Sequence, residues 1–206
     1  MNQGRFIVFE GIDGAGKTTQ AKILAKRLED MGKRVYMTAE PTTLPSGKAL
    51  REVLSGSVVK SDAEIAAMFV LDRIAHNVDI ESGIEKMISE GTVIICDRYY
   101  YSSLAYQGSA VDYEWVKSMN VSCPDIRHPD ICVFLDLTPE ESMKRISRGR
   151  ETTEIYENTD TLRRVRESFM RVIEDVGGQD RIAVVDASSD IEQIAERIFE
   201  AVSKIL

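Results

Sequence analysis

The stretch that decides the fold of this chain is Gly11-Ile12-Asp13-Gly14-Ala15-Gly16-Lys17-Thr18. It fits the phosphate-binding P-loop pattern, in which a glycine and any four residues precede Gly-Lys and a serine or threonine. The glycines permit backbone conformations that direct successive amides at phosphate oxygens, and the helix that follows adds its positive N-terminal dipole. We therefore predict that this stretch and Thr19 bind a nucleoside triphosphate, with Lys17 at the β- and γ-phosphates and Thr18 offering a hydroxyl to Mg²⁺.

The pattern around the P-loop predicts one α/β domain over residues 1–206. Short, almost continuously apolar runs predict strands at residues 6–10, 34–38, 92–96, 131–137 and 182–186. Helical periodicity predicts helices at residues 17–31, 61–90, 113–119, 139–147, 159–176 and 189–206. Strands that alternate with helices are typical of a parallel sheet covered on both faces. We expect a three-layer P-loop NTPase fold with about five parallel strands flanked by helices.

The composition is that of an acidic globular protein. The 206 residues carry 26 basic and 34 acidic side chains, for a net charge of −8. This balance argues against nucleic-acid or anionic-membrane partners, which require a basic face. No apolar run approaches the ~20 residues of a membrane span, and no cleavable signal precedes the first strand. The cysteines, Cys96, Cys123 and Cys132, fit neither a disulfide framework nor a zinc site. We therefore expect a cytoplasmic protein.

Polar residues follow two of the predicted strands. Residues 40–48 form a loop rich in proline and hydroxyl groups, and Asp97-Arg98 follows the third strand. Since ligands of α/β sheets bind at the C-terminal ends of the strands, both segments are expected to meet the P-loop. Asp97 is a candidate to support Mg²⁺, directly or through water, although it could also form an ordinary ion pair with Arg98.

An arginine-rich segment at about residues 145–157 lies between two predicted helices. Transfer of a phosphoryl group between two polyanions needs clustered positive charge and the exclusion of water. Arg145, Arg148 and Arg150 supply such charge in an otherwise acidic chain, so this segment is a candidate lid. The alternative is a solvated basic helix end, which the helix dipole favours.

The chain resembles the thymidylate kinase (dTMP kinase) family over about residues 5–175. Residues 9–20 resemble that family's phosphate loop, and residues 97–107, Asp-Arg-Tyr-Tyr-Tyr-Ser-Ser-Leu-Ala-Tyr-Gln, resemble its second signature. Glu40-Pro41, Phe69-Val70-Leu71-Asp72-Arg73 and Pro129-Asp130, the last leading into Leu135-Asp136-Leu137-Thr138-Pro139-Glu140, stand in the same order as in the family.

The resemblance implies transfer of the γ-phosphoryl group of ATP to dTMP, with Mg²⁺, giving dTDP and ADP for dTTP biosynthesis. It also implies a homodimer, for which the apolar face of residues 63–78 is a candidate interface unless it packs on the sheet. Two alternatives stay open. One is a kinase of another pyrimidine monophosphate, dUMP or UMP, and the other is a P-loop module that binds nucleotide without catalysis.

The resemblance further implies which residues bind the acceptor. Phe69 would lie against the thymine ring and Arg73 would donate to a base carbonyl; positions i and i+4 share one helix face, which suits this arrangement. Arg98 would bind the acceptor phosphate. The implied dTMP-binding residues are Asp13, Glu40, Phe69, Arg73, Arg98, Ser103, Tyr106, Gln107 and Tyr156. Tyr106 would pack under the deoxyribose, while Ser103 and Gln107 would lie beside the base.

The P-loop departs from one pattern of the family. Some members carry an arginine in the loop at or near the position of Gly14, whereas others supply basic residues from the lid. This chain resembles the second type, so Arg148 or Arg150 is expected to contact the transferring phosphoryl group. The catalytic candidates are Lys17, Arg98, Arg148, Arg150 and Asp13. The acceptor phosphate is already anionic, so neither His76 nor His128 needs a catalytic role.

Overall fold

The computed structural model describes residues 4–149 and 159–206, except for the side chains of residues 148 and 149. In this part of the chain the strands form one parallel sheet in the order β2-β3-β1-β4-β5. They are β1 (Arg5–Glu10), β2 (Val35–Ala39), β3 (Val93–Asp97), β4 (Ile131–Asp136) and β5 (Ile182–Asp186). The predicted parallel α/β fold of five strands is confirmed.

Helices cover both faces of this sheet. They are α1 (Lys17–Asp30), α2 (Pro45–Leu54), α3 (Asp62–Val78), α4 (Ile84–Ser89), α5 (Tyr100–Tyr106), α6 (Tyr113–Val121), α7 (Pro139–Gly149), α8 (Thr159–Val176) and α9 (Ile191–Ser203). A short 3₁₀ helix, Gln107–Ser109, follows α5. Both faces of the central strand are buried, since Phe6, Ile7, Val8 and Phe9 expose none of their surface.

The prediction of one helix at residues 61–90 is wrong. The helix ends at Val78, and a turn separates α3 from α4. The Asp79 carboxylate accepts hydrogen bonds from the backbone amides of Glu81 (3.1 Å) and Ser82 (2.7 Å). An aspartate whose side chain accepts hydrogen bonds from the backbone amides two and three residues later favours a turn over a continued helix.

The prediction that residues 40–48 form a loop is wrong beyond residue 44, because α2 begins at Pro45. Proline is favoured in the first turn of a helix, where its missing N–H has no intrahelical partner. The sequence also gave no sign of α5. Its tyrosines Tyr100 and Tyr101 have modest helix propensity, and both are buried, so packing decides their conformation.

The strand register brings the candidate site together at one edge of the sheet. Phe9 of β1 and Ala39 of β2 both lie opposite Asp97, the last residue of β3. The segments that follow these strands therefore start side by side. The Glu40 amide, one residue past β2, donates to the Asp97 carbonyl at 3.1 Å.

Candidate active site

The P-loop requires its glycines for two different reasons. Gly11, Gly14 and Gly16 have φ angles of 141°, 76° and 93°, which residues with a side chain rarely adopt. In addition, a Cβ atom on Gly11 would lie 2.7 Å from the Leu135 carbonyl oxygen. The loop therefore combines left-handed backbone with a close approach to β4.

Lys17 lies beneath the P-loop with 8% of its surface exposed. Its Nζ donates to the carbonyl oxygens of Gly11 (3.0 Å) and Ile12 (3.1 Å), and lies 3.9 Å from the Asp13 carboxylate. Burial, and next the charge of Arg98, lower the pKa of Lys17 from 10.5 to about 8. The P-loop thus encloses the ammonium group that is expected to bind phosphate together with the amides of the loop.

Thr18 and Asp97 form the candidate magnesium site. The Thr18 hydroxyl donates to Asp97 Oδ2 at 2.8 Å, across the gap between the P-loop and β3. Within the described residues no group of three or more His, Cys, Asp or Glu could hold a metal. A hydroxyl and one carboxylate fit Mg²⁺ that arrives with a nucleotide, because such Mg²⁺ takes most of its ligands from phosphate and water.

Arg98, the residue predicted to bind the acceptor phosphate, contacts the P-loop. Its guanidinium forms an ion pair with Asp13 and donates to Ser102 Oγ at 3.1 Å. The guanidinium carbon lies 5.7 Å from the centre of the Tyr106 ring. Arg98 has a φ of 70°, a conformation that costs a non-glycine residue about 1–3 kcal/mol and is frequent at functional sites. Asp13, Arg98 and Tyr106, all predicted site residues, are therefore brought together.

A second cluster surrounds Arg73, which is 1% exposed. Its Nε donates to Glu40 Oε2 at 2.8 Å, and its Nη1 donates to Ser103 Oγ at 3.2 Å and to the side-chain oxygen of Asn120. His76 Nδ1 lies 3.0 Å from Glu40 Oε1. The predicted residues Glu40, Arg73 and Ser103 thus form one buried network, while Phe69 lies half-buried one helical turn before Arg73.

Asp72, the neighbour of Arg73, holds the other side of the loop after β2. Its carboxylate accepts hydrogen bonds from the Thr42 amide (2.7 Å), the Thr42 hydroxyl (2.6 Å) and the Ser46 hydroxyl (2.7 Å). Arg73 holds Glu40, so two adjacent residues of α3 fix the residues on either side of Pro41.

A cavity of about 920 Å³ opens over the P-loop. It extends to Glu40, Asp97 and Arg98 on one side and to Arg145, Ile146 and the start of α9 on the other. Among the described residues, Phe69, Arg73, Ser103, Tyr106 and Gln107 do not line it. The cavity therefore lies on the P-loop side of the candidate site and reaches Glu40 and Arg98, two of the predicted acceptor residues, at its edge.

Several residues of this site were not predicted from the sequence. The cavity wall includes Ser189, Asp190 and Ile191 at the start of α9. The predicted Arg145 lies beside them, and its Nη2 donates to the Ala187 carbonyl at 2.7 Å. Glu10, at the end of β1, is fully buried and accepts a hydrogen bond from the Tyr99 amide at 2.8 Å. The sequence did hold a signal for Glu10, because an acidic residue ends an apolar strand directly before the P-loop.

Three predicted residues lie outside the described residues. They are Arg148, whose side chain is not described, Arg150 and Tyr156. The segment predicted to be a lid is described as far as Gly149, the last residue of α7.

The P-loop and the Asp97-Arg98 pair lie together at one edge of a parallel sheet, an arrangement that fits a P-loop nucleotide kinase. A family profile described as Thymidylate kinase matches residues 9–198, and the chain belongs to this family. It is 41% identical over 199 residues to a probable thymidylate kinase of Pyrococcus horikoshii, covering 93% of this chain and 92% of the relative. It is 37% identical over 211 residues to a thymidylate kinase of Rhodopseudomonas palustris, covering 97% and 89% respectively.

Proposed function

We propose that this chain is a dTMP kinase that transfers the γ-phosphoryl group of ATP to dTMP, giving dTDP and ADP on the route to dTTP. One observation carries the proposal. Arg98, the cation on the acceptor side, pairs with Asp13 of the P-loop itself, so the donor and acceptor sites share one boundary. Membership of the thymidylate kinase family supports dTMP as the acceptor.

On the donor side, the P-loop amides and Lys17 bind the β- and γ-phosphates of ATP. Thr18 and Asp97 are the residues that would hold Mg²⁺, Asp97 directly or through water, and this ion supplies positive charge against the triphosphate oxygens. The cavity beyond the loop, between Arg145 and Ile191, has room for the nucleoside of ATP.

On the acceptor side, Arg98 holds the dTMP phosphate in the bidentate geometry that a guanidinium offers to phosphate oxygens. An oxygen of that phosphate bonds to the γ-phosphorus, and the bond from the γ-phosphorus to the β–γ bridging oxygen breaks to release ADP. The attacking oxygen is already anionic, so alignment and charge stabilisation account for the catalysis and no general base is required. Arg148 or Arg150 supplies further charge to the transferring group.

The Arg73 network favours a pyrimidine that carries a carbonyl rather than an amino group at C4. A guanidinium carries only donors, and the side chain is buried with Glu40 and Ser103. The carbonyl at C4 of thymine or uracil accepts from such a group, whereas the amino group that cytosine carries at C4 would place a donor against a donor. Phe69 supplies the apolar surface for the ring, and Tyr106, Gln107 and Tyr156 complete the acceptor site.

The test is turnover of a monophosphate panel with ATP, using dTMP, dUMP, UMP and dCMP. We expect the highest kcat/KM with dTMP, and Lys17→Ala should lower this turnover by at least ~100-fold, or about 2.7 kcal/mol of transition-state stabilisation. Faster use of UMP than of dTMP would favour the pyrimidine-kinase alternative. Binding of ATP without turnover of any monophosphate would favour the non-catalytic module.

We also propose that the enzyme is a cytoplasmic homodimer that binds neither nucleic acid nor membranes. Support for the dimer comes from α3, whose outer face exposes 60% of Leu71 and 47% of Val78. The net charge of −8 disfavours nucleic acid as a partner. Across residues 4–149 and 159–206, no helix combines the length and apolar character needed to cross a bilayer.

A further inference from the structure

Glu10 places a carboxylate in the core, directly before the first glycine of the P-loop. It exposes none of its surface, and its side chain accepts three hydrogen bonds from the segment just after Arg98. Oε1 accepts from the backbone amides of Tyr99 (2.8 Å) and Ser102 (3.1 Å), and Oε2 accepts from the Ser102 hydroxyl (2.7 Å). A buried carboxylate is costly unless it is satisfied in this way. The contacts therefore bind the end of β1 firmly to the first turn of α5.

The Ser102 hydroxyl has two partners of opposite kind. It donates to Glu10 Oε2 and accepts from Arg98 Nη1 at 3.1 Å. A hydroxyl has a single proton, and Ser102 donates it to Glu10, so the lone pairs of Ser102 are available to Arg98. The other end of the guanidinium, Nη2, pairs with Asp13. Arg98 is thus held at both terminal nitrogens.

We propose that Glu10 and Ser102 are positioning residues that fix the Arg98 guanidinium for the acceptor phosphate. Glu10 orients the Ser102 hydroxyl, Ser102 holds Arg98, and neither residue acts on the substrate directly. The peptide bond between Glu10 and Gly11 links the same carboxylate to the start of the P-loop. The acceptor arginine and the donor loop are therefore aligned by one buried group. This inference rests on the proposed function, since it assigns Arg98 to the acceptor phosphate.

A double-mutant cycle between Ser102→Ala and Arg98→Ala tests the proposal in the full-length protein. The quantities measured are kcat, the KM for dTMP, the KM for ATP and the melting temperature. We expect Ser102→Ala to raise the KM for dTMP about tenfold and to change the KM for ATP less than about twofold, because only the acceptor side loses a contact. In the Arg98→Ala background the same change should alter kcat/KM for dTMP less than about twofold, since the two residues act as one unit.

A purely structural role gives a different result. If Ser102→Ala lowers kcat/KM by the same factor in both backgrounds, or has no effect in the wild-type background, the proposal is wrong. Ser203→Ala is the matched control: Ser203 ends α9 far from the site, and its hydroxyl donates only to the Glu200 carbonyl. This variant should match the wild type in every constant.

Glu10→Gln provides the second arm, because its amide nitrogen would replace the oxygen that accepts the Ser102 proton. We expect the same rise in the KM for dTMP and no further rise in the double variant with Ser102→Ala. If Glu10→Gln does not fold, the cycle at Ser102 and Arg98 decides alone. If the wild type prefers another monophosphate, the proposed function fails, and the cycle is repeated with that acceptor. If the wild type turns over dTMP normally but the effects of Ser102→Ala and Arg98→Ala are additive, the proposed function stands and only the positioning role of Glu10 and Ser102 is wrong.

Discussion

At the scale of single residues, burial controls the charge of Lys17. Its pKa is lowered to about 8, chiefly by burial, so the ammonium form that binds phosphate is dominant below that pH and is lost above it. Anionic phosphates favour the cation, and binding must therefore raise this pKa again. It follows that the affinity for ATP falls as the pH rises through about 8, and that binding above this pH takes up a proton.

Titration calorimetry of ATP binding in buffers of different ionisation enthalpy measures this proton. We expect Lys17 to take up nearly one proton when ATP binds at about pH 9. At about pH 6 it should take up none, because the lysine is already protonated at that pH. ATP and other groups titrate as well, so the comparison is with Lys17→Ala, in which the uptake at high pH should disappear. An equal uptake in the variant would assign the proton to another group.

Single residues also show why the site could be predicted only in part. The P-loop and the Asp97-Arg98 pair are short motifs whose chemistry is visible in consecutive residues. Glu10 acts on Ser102, 92 positions away, and Asn120 acts on Arg73, 47 positions away. Such contacts depend on which strands become neighbours in the sheet, and a local sequence pattern does not indicate which strands these are.

At the scale of elements, α7 packs directly on the P-loop. A Cβ atom at Gly14 would lie 3.0 Å from both the carbonyl oxygen and the hydroxyl of Ser142, and 3.1 Å from Ile146 Cγ1. The Ser142 hydroxyl donates to the Asp13 carbonyl, so a hydrogen bond joins α7 to the loop. In this chain the neighbouring helix occupies the space that a side chain at residue 14 would need.

Gly14→Ala should therefore destabilise the protein and weaken ATP binding. Gly32→Ala is a matched control, because Gly32 has nearly the same φ, 77° against 76°, with open space around its Cβ position. In both variants the left-handed backbone of the new alanine should lower the free energy of unfolding by about 1–2 kcal/mol. Gly14→Ala should lose about 1–3 kcal/mol more through overpacking and should raise the KM for ATP. Equal losses in denaturant unfolding of the two variants would contradict the packing argument.

All five strands lie within one residue of their predicted positions. The central strands β1, β3 and β4 are buried almost throughout, so their apolar runs are continuous. The edge strands β2 and β5 are largely part-exposed or exposed, and their apolar and β-branched residues alone indicated them. The errors fall where a local contact competes with periodicity. Asp79 ends α3 although the helical pattern continues, and α5 forms because its tyrosines are buried.

At the scale of the whole molecule, the inner face of α3 serves the site and its outer face is available for association. Ala66, Val70 and Arg73 are buried, whereas Leu71 exposes 60% of its surface. If α3 forms the dimer interface, Leu71→Glu should shift the protein to monomers in sedimentation velocity, since an unpaired charge in such an interface is costly. Met31→Glu is the control, with 52% exposure at the end of α1. Equal dissociation constants for both variants would place the interface elsewhere.

The buried pair of Glu40 and Arg73 also restricts how this chain can evolve. Removal of one partner from a buried ion pair costs about 3–5 kcal/mol, a large share of the 5–15 kcal/mol that keeps a typical domain folded. If Arg73 contacts the base as proposed, a lineage that changed it to accept a different base would leave Glu40 buried beside His76 without its guanidinium partner. Both positions would have to change together, or after other stabilising substitutions. Base preference in this enzyme should therefore be inherited conservatively, even when a single mutation would suffice to alter the contact.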